Sequence, residues 1–514
     1  MEAAQNSPQK TSGFKFNKAY LKRTIWIGLA FFGILLVWQL YNAYCSPMLT
    51  FLFVKHDFPS AIEDTRVAMI AAGEEPVINM INILVYGGLS EPDYLSVQWK
   101  VGIIMALDNI AALFIMPLFG RWSDKTHSKL GKRMPFIIIG SVVTAIALPF
   151  IPFFFSSGMG NEEAKLVGMI VGLICTMVVI IVFMMSYRSP AVSLMPDLTP
   201  KPLRSKANGI INIVGYVGGA VGSVFAIVIP VTSYIDGTNR SLWMLEIPFI
   251  VCSLVLLISL GLLLWKVREN KLHLELDEEI KRGDAMGESA EQVTDSGKMS
   301  KKNLRNLILI LIAEVLWFMS LNAVETFQTN YSMFWLNTSS AGGALMTVIS
   351  GAASVVGFLV AGLIADKIGR KWTIFIGICV VAACYIGYSF VPPAEKAATD
   401  FSSSLPWIFF ILLPTIGLGS SLIHICSFPL VTDYCTGEKL GRFTALYYTA
   451  SMLAQSVTPI VIGLIFQNTS WRAMPIYSAS LMVAAGVVFF FVKAPHKNDK
   501  AKNAKGLDAL GSDD

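Results

Sequence analysis

Twelve long apolar stretches constrain what this chain can fold into. They lie at about residues 24–53, 98–120, 134–156, 163–195, 206–231, 243–266, 304–334, 340–364, 372–391, 405–433, 441–467 and 473–493. Each has about 18 residues or more, enough to cross a hydrocarbon core of about 30 Å as a helix. The charged fraction is 15%, whereas soluble domains carry roughly 25%. The pattern predicts an all-α membrane protein with twelve transmembrane helices.

The distribution of lysine and arginine predicts the orientation in the membrane. With the N-terminus inside, the inner segments hold 32 of the 40 Lys and Arg residues and the outer segments hold 7. Cytoplasmic loops carry such an excess of basic residues, so both termini are predicted to be cytoplasmic. This excess of basic residues on the inner side explains the net charge of +5. Binding to nucleic acid is therefore not needed to explain that charge.

The spacing of the spans predicts two six-helix bundles. We place them at 24–266 and 304–493, between cytoplasmic tails at 1–23 and 494–514. The polar segment 267–303 joins them and is expected to be a short amphipathic helix followed by flexible chain. The first bundle contains an outer loop, 54–97, whose apolar part is too short to span the bilayer. That part is expected to lie on the membrane surface or to cap the outer mouth.

Landmark residues recur in the same order in the two halves, which predicts an internal repeat. The pairs are Asn42 and Asn322, Asp124 and Asp366, Asp197 and Asp433, and Arg204 and Arg442. The separation is nearly the same for the last three pairs and is larger for the first pair, because the first half alone carries the long outer loop. The pattern is that of a parallel repeat of six helices.

The polar loop of the second half resembles a known family signature. The segment Gly362-Leu-Ile-Ala-Asp366-Lys367-Ile-Gly369-Arg370-Lys371 matches G-x-x-x-D-[RK]-x-G-R-[RK], the loop motif of the major facilitator superfamily, at every fixed position. The stretched loop from Asp124 to Pro135 resembles the form found in glycoside–pentoside–hexuronide:cation symporters and sucrose-type proton-coupled sugar transporters. The segment Ala43-Tyr44-Cys45-Ser46-Pro47-Met48-Leu49 is similar to the A-Y-x-x-P-x-L of the sucrose-type group.

The resemblance implies a major facilitator fold and proton-coupled symport of a glycoside or disaccharide by alternating access. It implies a monomer in the lipid bilayer of the cell membrane, with a bacterial inner membrane expected, and no cofactor. The chain also departs from the family patterns. Arg188 stands where melibiose-type permeases carry a cation-binding Asp, and Ala112 and Met116 stand at two further acidic positions, so a sodium site of that design is not expected. Val192 and Tyr41 replace an Arg and an acidic residue of sucrose-type carriers, so no sugar-binding residue is matched.

Charged and glycine residues at the inner ends of the helices are candidates for an inner gate. In the first half these are Gly120, Asp124, Arg133, Asp197 and Arg204, and in the second half Gly362, Asp366, Arg370, Asp433 and Arg442. Glycine permits close approach at a helix end, whereas Asp124 can pair with a base or cap a helix N-terminus such as that of the eleventh span.

Ionisable residues within spans are candidates for proton coupling, because an unpaired charge in a membrane costs several kcal/mol. They are Asp108, Arg188, Glu314, Glu325 and His424. We expect one carboxyl group to take a proton from outside and Arg188 to neutralise it when the proton leaves. The alternative is an ion pair that only locks two helices. Arg188 and His424 are separated by the same interval as Asp197 and Asp433, so they occupy equivalent positions of the repeat.

Aromatic and amide residues of the first and seventh spans predict a sugar-binding face, since rings stack on sugars and amides bond their hydroxyl groups. The candidates are Trp38, Gln39, Tyr41, Asn42, Tyr44, Asn109, Trp317, Asn322 and Gln328. Each aromatic residue could instead face lipid or the packed interior. The glycines from Gly215 to Gly222 are read as a helix-packing surface.

Two other functional classes would need different sequence features. The alternative transport function is proton-driven export of amphipathic small molecules. A membrane enzyme would need a clustered nucleophile or a set of metal ligands, and the sequence has neither pattern. The chain is therefore predicted to transport and not to catalyse.

Overall fold

The computed structural model describes residues 17–75, 80–160, 163–200, 203–234, 242–292, 301–394, 401–434 and 438–493. The first half contains α1 (Lys18–Asp57), α2 (Ser60–Ala71), α3 (Met80–Tyr86), α4 (Glu91–Ser96), α5 (Gln98–Lys125), α6 (Met134–Ala147), α7 (Phe150–Gly160), α8 (Glu163–Asp197), α9 (Arg204–Val228) and α10 (Glu246–Lys266). Helix α11 (Glu269–Gln292) follows. The second half contains α12 (Lys301–Phe334), α13 (Ser340–Ile368), α14 (Arg370–Ser389), α15 (Phe409–Tyr434), α16 (Glu438–Phe466) and α17 (Ala473–Phe490).

Twelve helical segments in the described residues are long and apolar enough to cross a membrane, which confirms the predicted all-α fold. The third span differs from the prediction because it is broken at Leu148 and Pro149 into α6 and α7. Proline has no backbone N–H and clashes with the preceding turn, so a break at this point has a local cause. The first span extends to Asp57, into the predicted outer loop, whose remainder holds three short helices.

The outer surface of the bundle is apolar, as a surface in contact with lipid requires. Large side chains such as Phe114 and Leu118 are 72% and 59% exposed. A soluble monomer rarely exposes a continuous apolar surface of this kind. Because twelve consecutive spans cross the bundle, the start of α1 and the end of α17 lie at the same end. We call that end the terminal face and the other end the opposite face.

Glycines in α9 allow it to pack closely on α1, as the run from Gly215 to Gly222 predicted. A side chain at Gly218 would collide with the backbone of Phe32, and one at Gly222 would come within 2.6 Å of the Leu36 carbonyl oxygen. Close backbone approach of this kind is the usual reason for small residues between membrane helices.

The two halves meet through α5 and α16, α9 and α13, and α1 and α12. A side chain at Gly102 of α5 would collide with the Pro459 carbonyl group, and one at Gly463 of α16 would lie 2.8 Å from the Gln98 carbonyl oxygen. Four hydrogen bonds between described residues join the halves. All four lie at the opposite face, where α1 ends and α5 begins, so the halves are tied together at that end.

Candidate functional site

A polar cavity lies between the two halves. The first half contributes Gln39, Asn42 and Ser223, and the second half contributes Glu325, Gln328, Thr329, Thr347, Ser350, Tyr385, Ser420 and His424. The cavity volume is about 210 Å³, which exceeds the roughly 10–15 Å³ that one water occupies on this measure. Nine of the eighteen lining residues carry an amide or hydroxyl group, and seven others, among them Leu321 and Ile416, are apolar. Amides and hydroxyl groups are the ones that hydrogen-bond a solute with many hydroxyls.

A small second pocket adjoins the cavity. It is lined by Trp38, Asn42, Met105, Asp108, Asn109, Asn322, Glu325, Thr326 and Gln455. Asn42 and Glu325 line both spaces. The Glu325 side chain is exposed although it lies deep in the bundle, because it faces the cavity. These two residues therefore connect a space of solute size with a charged pocket.

Two carboxyl groups line this second pocket, and a basic residue of a third helix lies nearby. Asp108 of α5 is only 4% exposed, and its Oδ1 accepts a hydrogen bond of 2.8 Å from Asn109 Nδ2. Arg188 of α8 lies within electrostatic range of both Asp108 and Glu325, and its guanidinium lies 6.0 Å from the centre of the Trp38 ring. Two carboxyl groups and one permanent cation thus lie within electrostatic range of one another.

The equivalent positions of the second half hold a matching contact. His424 packs on Phe318, with ring centroids 5.5 Å apart. Phe318 follows Trp38 at the interval that separates Asn42 from Asn322, so these two rings are also equivalent in the repeat. The predicted equivalence of Arg188 and His424 therefore corresponds to two similar contacts, each between a basic side chain and an aromatic ring.

Five of the predicted coupling and sugar-binding residues line neither space: Arg188, described above, and the four that follow. The Tyr44 hydroxyl group shares its proton between the carbonyl oxygens of Phe225 and Ile229, at 3.0 and 2.7 Å. It therefore provides a hydrogen-bond donor for carbonyl groups at the C-terminal end of α9. Tyr41 and Trp317 are buried in packed contacts with Trp38 and Phe489 respectively. Glu314 is fully buried, and neither carboxylate oxygen has a hydrogen-bond partner among the described residues. Glu314 lies three turns before Glu325, about 16 Å along the helix.

Several lining residues were not predicted from the sequence, including Ser223, Thr347, Ser350, Tyr385 and Ser420. Hydroxyl groups are common in membrane helices, so single serines and threonines carry little signal. One signal was available, because Ser350 follows Asp108 at the same interval as Asp366 follows Asp124. Equivalent positions of α5 and α13 therefore line the two adjoining spaces.

At the terminal face, the predicted inner-gate residues of the first half form an ion cluster. Arg133 is 4% exposed and contacts Asp124 at 2.5 Å and Asp197 at 2.9 Å. Burial of the guanidinium lowers the pKa of Arg133, but the hydrogen bonds and charges of Asp197 and Asp124 together outweigh that effect, so the pKa is raised overall. Asp124 thus pairs with a base of its own half, and the side chains at the start of the eleventh span lie outside the described residues. Close by, a side chain at Gly120 would lie 2.8 Å from Ser189 Oγ.

Helix α11 docks onto this cluster through Glu269. Its carboxylate accepts hydrogen bonds of 3.0 to 3.2 Å from the backbone N–H groups of Lys132, Arg133 and Met134, at the start of α6. Free N–H groups and the helix dipole favour an anion at that point. Gly131 has φ +121°, and a side chain there would collide with Glu269. The linker is thus attached to the first half, and its helix is longer than predicted.

In the second half, as in the first, a glycine with positive φ precedes a helix at the terminal face, and an arginine donates to a backbone carbonyl group. Gly369 ends α13 with φ +86°, and Arg370 donates to the Pro429 carbonyl oxygen at 3.4 Å. In the first half, Arg204 donates to the Thr199 and Pro196 carbonyl oxygens at 3.0 Å. The predicted residues Gly362, Asp366, Asp433 and Arg442 lie in α13, α15 and α16. The structure leaves open space around Gly362, and the side chains of Asp366, Asp433 and Arg442 lie outside the described residues.

Comparison with known proteins places the chain among transporters. Sucrose transport protein SUC4 from Arabidopsis thaliana is 28% identical over 180 residues, which are 32% of this chain and 34% of that protein. Sucrose transport protein SUC3 from the same plant is 30% identical over 133 residues, 22% of each chain. The matched segments therefore span about a fifth to a third of the length of these relatives.

Solved structures of transporters share the fold. A D-xylose-proton symporter aligns with a TM-score of 0.58 at 14% identity, covering 92% of this chain and 98% of its own. A bacterial homolog of the human lysosomal transporter Spinster aligns with a TM-score of 0.57 at 13% identity, covering 93% and 97%. A family model described as Major Facilitator Superfamily matches residues 77–398 and 327–511. The chain is a multi-pass membrane protein that belongs to the major facilitator superfamily of transporters.

Proposed function

We propose that this chain is a symporter that couples inward movement of a proton to uptake of a small polyhydroxylated solute, a glycoside or disaccharide. The observation that carries the proposal is the position of Glu325, which lines both the polar cavity and the pocket of Asp108. A solute in the cavity would then lie beside the charged group. The sucrose transport proteins and the xylose-proton symporter are relatives or structural neighbours that fit this reading.

A charge argument supports a single coupling proton. With both carboxyl groups ionised, Asp108 and Glu325 exceed the charge of Arg188 by one. One proton on either carboxyl group makes the set neutral, and a neutral set is favoured away from water because a buried net charge is costly. The loaded carrier would then change conformation by rocking of its two halves, and Arg188 would stabilise the carboxylate that forms when the proton is released.

The same proposal assigns the faces. The terminal face is cytoplasmic, because the lysine and arginine excess lies at that end, and the opposite face is the outer one. The hydrogen bonds that join the halves at the opposite face then mean that the cavity is closed to the outside in this conformation. We place the protein as a monomer in a cell membrane, most simply a bacterial inner membrane.

Uptake into proteoliposomes tests the function. The purified chain is reconstituted, and sucrose, other glycosides and D-xylose are offered with and without an inward proton gradient. We expect accumulation of at least one sugar that depends on the gradient, together with sugar-dependent proton entry. If no sugar in the panel stimulates proton entry, the symport proposal is rejected. Proton-driven efflux of an amphipathic dye would favour the alternative of export.

A further inference from the structure

A lysine and two tryptophans meet where α1 begins and α10 ends, at the terminal face. The Lys266 Nζ atom lies 5.7 Å from the centre of the Trp26 ring and 3.3 Å from that of the Trp265 ring. Trp265 is 64% exposed although its ring is large and apolar. Tryptophan rings collect at the membrane–water interface, and lysines beside them reach out to the headgroups. This end of α10 therefore lies at the level of the lipid headgroups.

The packing of α1 on α10 brings a second lysine to the same level. Ser259 Oγ of α10 donates to the Leu29 carbonyl oxygen of α1 at 2.9 Å, and the two helices run in opposite directions. Lys22 precedes Leu29 by seven residues, and Lys266 follows Ser259 by seven. Seven residues are two turns of an α-helix, about 10 Å, so both lysines lie the same distance beyond the contact. We call Lys22, Trp26, Trp265 and Lys266 the interface cluster.

The charge of the interface cluster is not neutralised within the part of the chain that the structure describes. Lys22 and Lys266 are exposed, and neither forms an ion pair with a described carboxylate. Glu269 follows Lys266 by three residues, but its carboxylate is held by the backbone N–H groups at the start of α6. Glu279 accepts a hydrogen bond from the Tyr20 hydroxyl group. Two positive charges on neighbouring helices therefore remain for a partner outside the chain.

An apolar surface continues from the interface cluster toward the middle of the membrane. Leu254, Ile258, Gly261 and Trp265 lie on one face of α10 at helical spacing. The three large side chains are exposed, and the space that a side chain at Gly261 would fill is open. Gly261 lies five residues, about 8 Å, from Lys266 along the helix. A hydrocarbon chain attached to a group at the lysines can therefore lie in the gap at Gly261.

We propose that the interface cluster binds an anionic phospholipid: Lys22 and Lys266 hold the headgroup phosphate, and the gap at Gly261 takes an acyl chain. Basic pockets between membrane helices attract anionic headgroups in this way. A zwitterionic lipid carries its own cation and cannot neutralise two lysines. A free phosphate would make no use of the apolar face that continues from them. The inference goes beyond the proposed function, since it depends on neither the solute nor the coupling ion.

Native mass spectrometry of the full chain tests the site, with phosphatidylglycerol and phosphatidylcholine of identical acyl chains as probes. We expect the first phosphatidylglycerol to bind roughly ten- to thirtyfold more tightly, the effect of about two lysines. Lys22→Ala combined with Lys266→Ala should abolish the preference, whereas Lys266→Arg keeps the charge and should retain it. Both lysines are exposed, so the fold should tolerate these changes. Equal affinity of the unmodified chain for the two lipids would overturn the proposal.

Lys125→Ala combined with Lys129→Ala is the matched control. These exposed lysines belong to the end of α5 and the loop after it, at the terminal face of the same half, so the net charge changes equally. The control should keep the preference for phosphatidylglycerol. An equal loss in the two double variants would show a diffuse effect of charge and would reject a specific site.

Gly261→Leu separates a lipid from a free anion. The leucine fills the gap without a clash, so it should weaken binding of phosphatidylglycerol several-fold and leave binding of glycerol phosphate unchanged. If glycerol phosphate binds as tightly as the lipid and Gly261→Leu affects neither, the cluster is a simple anion site and the lipid proposal is wrong.

Discussion

Thr50 Oγ1 and Asn330 Nδ2 lie 2.9 Å apart, although the two residues are 280 positions apart in the chain. The same offset separates Asn42 from Asn322. Thr50 and Asn330 therefore occupy equivalent positions of the two repeats and meet each other between the halves. Equivalent residues can touch only close to the axis that relates the repeats, so this contact marks where the axis passes through the opposite face.

Replacement of Asp108 by Asn should separate proton coupling from solute binding. The amide keeps the shape and the contact with Asn109 but cannot carry a coupling proton. We expect gradient-driven uptake to fall about tenfold or more, while exchange of solute across the membrane without a gradient continues. Radiolabelled uptake and counterflow in proteoliposomes measure the two rates.

Glu314→Gln is the control for that experiment, because Glu314 is buried outside both lining sets. Its gradient-driven uptake should stay near that of the unmodified chain. Survival of gradient-driven uptake in Asp108→Asn would remove Asp108 from the coupling mechanism, and loss in Glu314→Gln alone would transfer the role to that residue.

Replacement of Gln328 by Ala should weaken solute binding. The side chain lines the cavity, and its Nε2 contacts Thr347 Oγ1 at 3.1 Å. Loss of about one hydrogen bond predicts an apparent affinity roughly fivefold weaker. The maximal rate of uptake should change little. Ser354→Ala, which removes a bond of 3.1 Å to the Gly417 carbonyl oxygen in the same half, should leave the affinity unchanged, and an equal loss in both variants would contradict a direct role for Gln328.

Replacement of Glu269 by Ala should release α11 from the first half. The carboxylate accepts three backbone N–H groups at the start of α6, and an anion at a partly buried helix start contributes up to about 2 kcal/mol. We expect faster hydrogen exchange over residues 269–282 and a lower melting temperature in detergent. Asp277→Asn breaks an exposed pair with Lys281 in the same helix and should have almost no effect. Similar exchange in the two variants would show that Glu269 does not anchor the linker.

Two glycines of the same loop motif should respond in opposite directions to alanine. Gly369 has φ +86° and ψ +150°, a conformation that costs other residues of the order of 1–3 kcal/mol, so Gly369→Ala should lower the melting temperature. Gly362 lies inside α13 in open space, where alanine is favoured by roughly 0.5–1 kcal/mol. Thermal unfolding in detergent compares them, and destabilisation by Gly362→Ala would show that another surface covers this glycine.

Most of the fold could be predicted from hydropathy and from the spacing of the repeat. The twelve spans follow from length and apolar content, and the interval from Asp197 to Asp433 predicted that Arg188 and His424 occupy matching positions. The break at Pro149 was missed because the apolar stretch continues through it. The docking of α11 was missed as well, because Glu269 looks like any other acidic residue in a polar segment until the start of α6 is placed beside it.

The lining of the cavity was predicted less completely than the fold. A helix that is apolar on most of its surface gives no periodic signal for the face that turns inward. Tyr44 and Trp317 were therefore candidates for sugar binding beside the amides Gln39 and Asn42, which were the stronger candidates because a buried amide must find a partner. Only tertiary packing separates the aromatic residues from the amides. Tyr44 hydrogen-bonds carbonyl groups at the end of α9, and Trp317 packs within the second half.

Arg188 and His424 occupy equivalent positions, but only Arg188 carries a permanent charge. This difference limits which combinations of the two six-helix halves can form a working carrier. One half supplies a permanent cation and the other supplies most of the groups that line the cavity. A homodimer of the first six helices would contain two guanidinium groups and few of the hydroxyl groups that line the cavity. A homodimer of the last six would have a polar cavity without a fixed counter-charge. A working minimal carrier therefore needs both halves, as a heterodimer if the linker is cut.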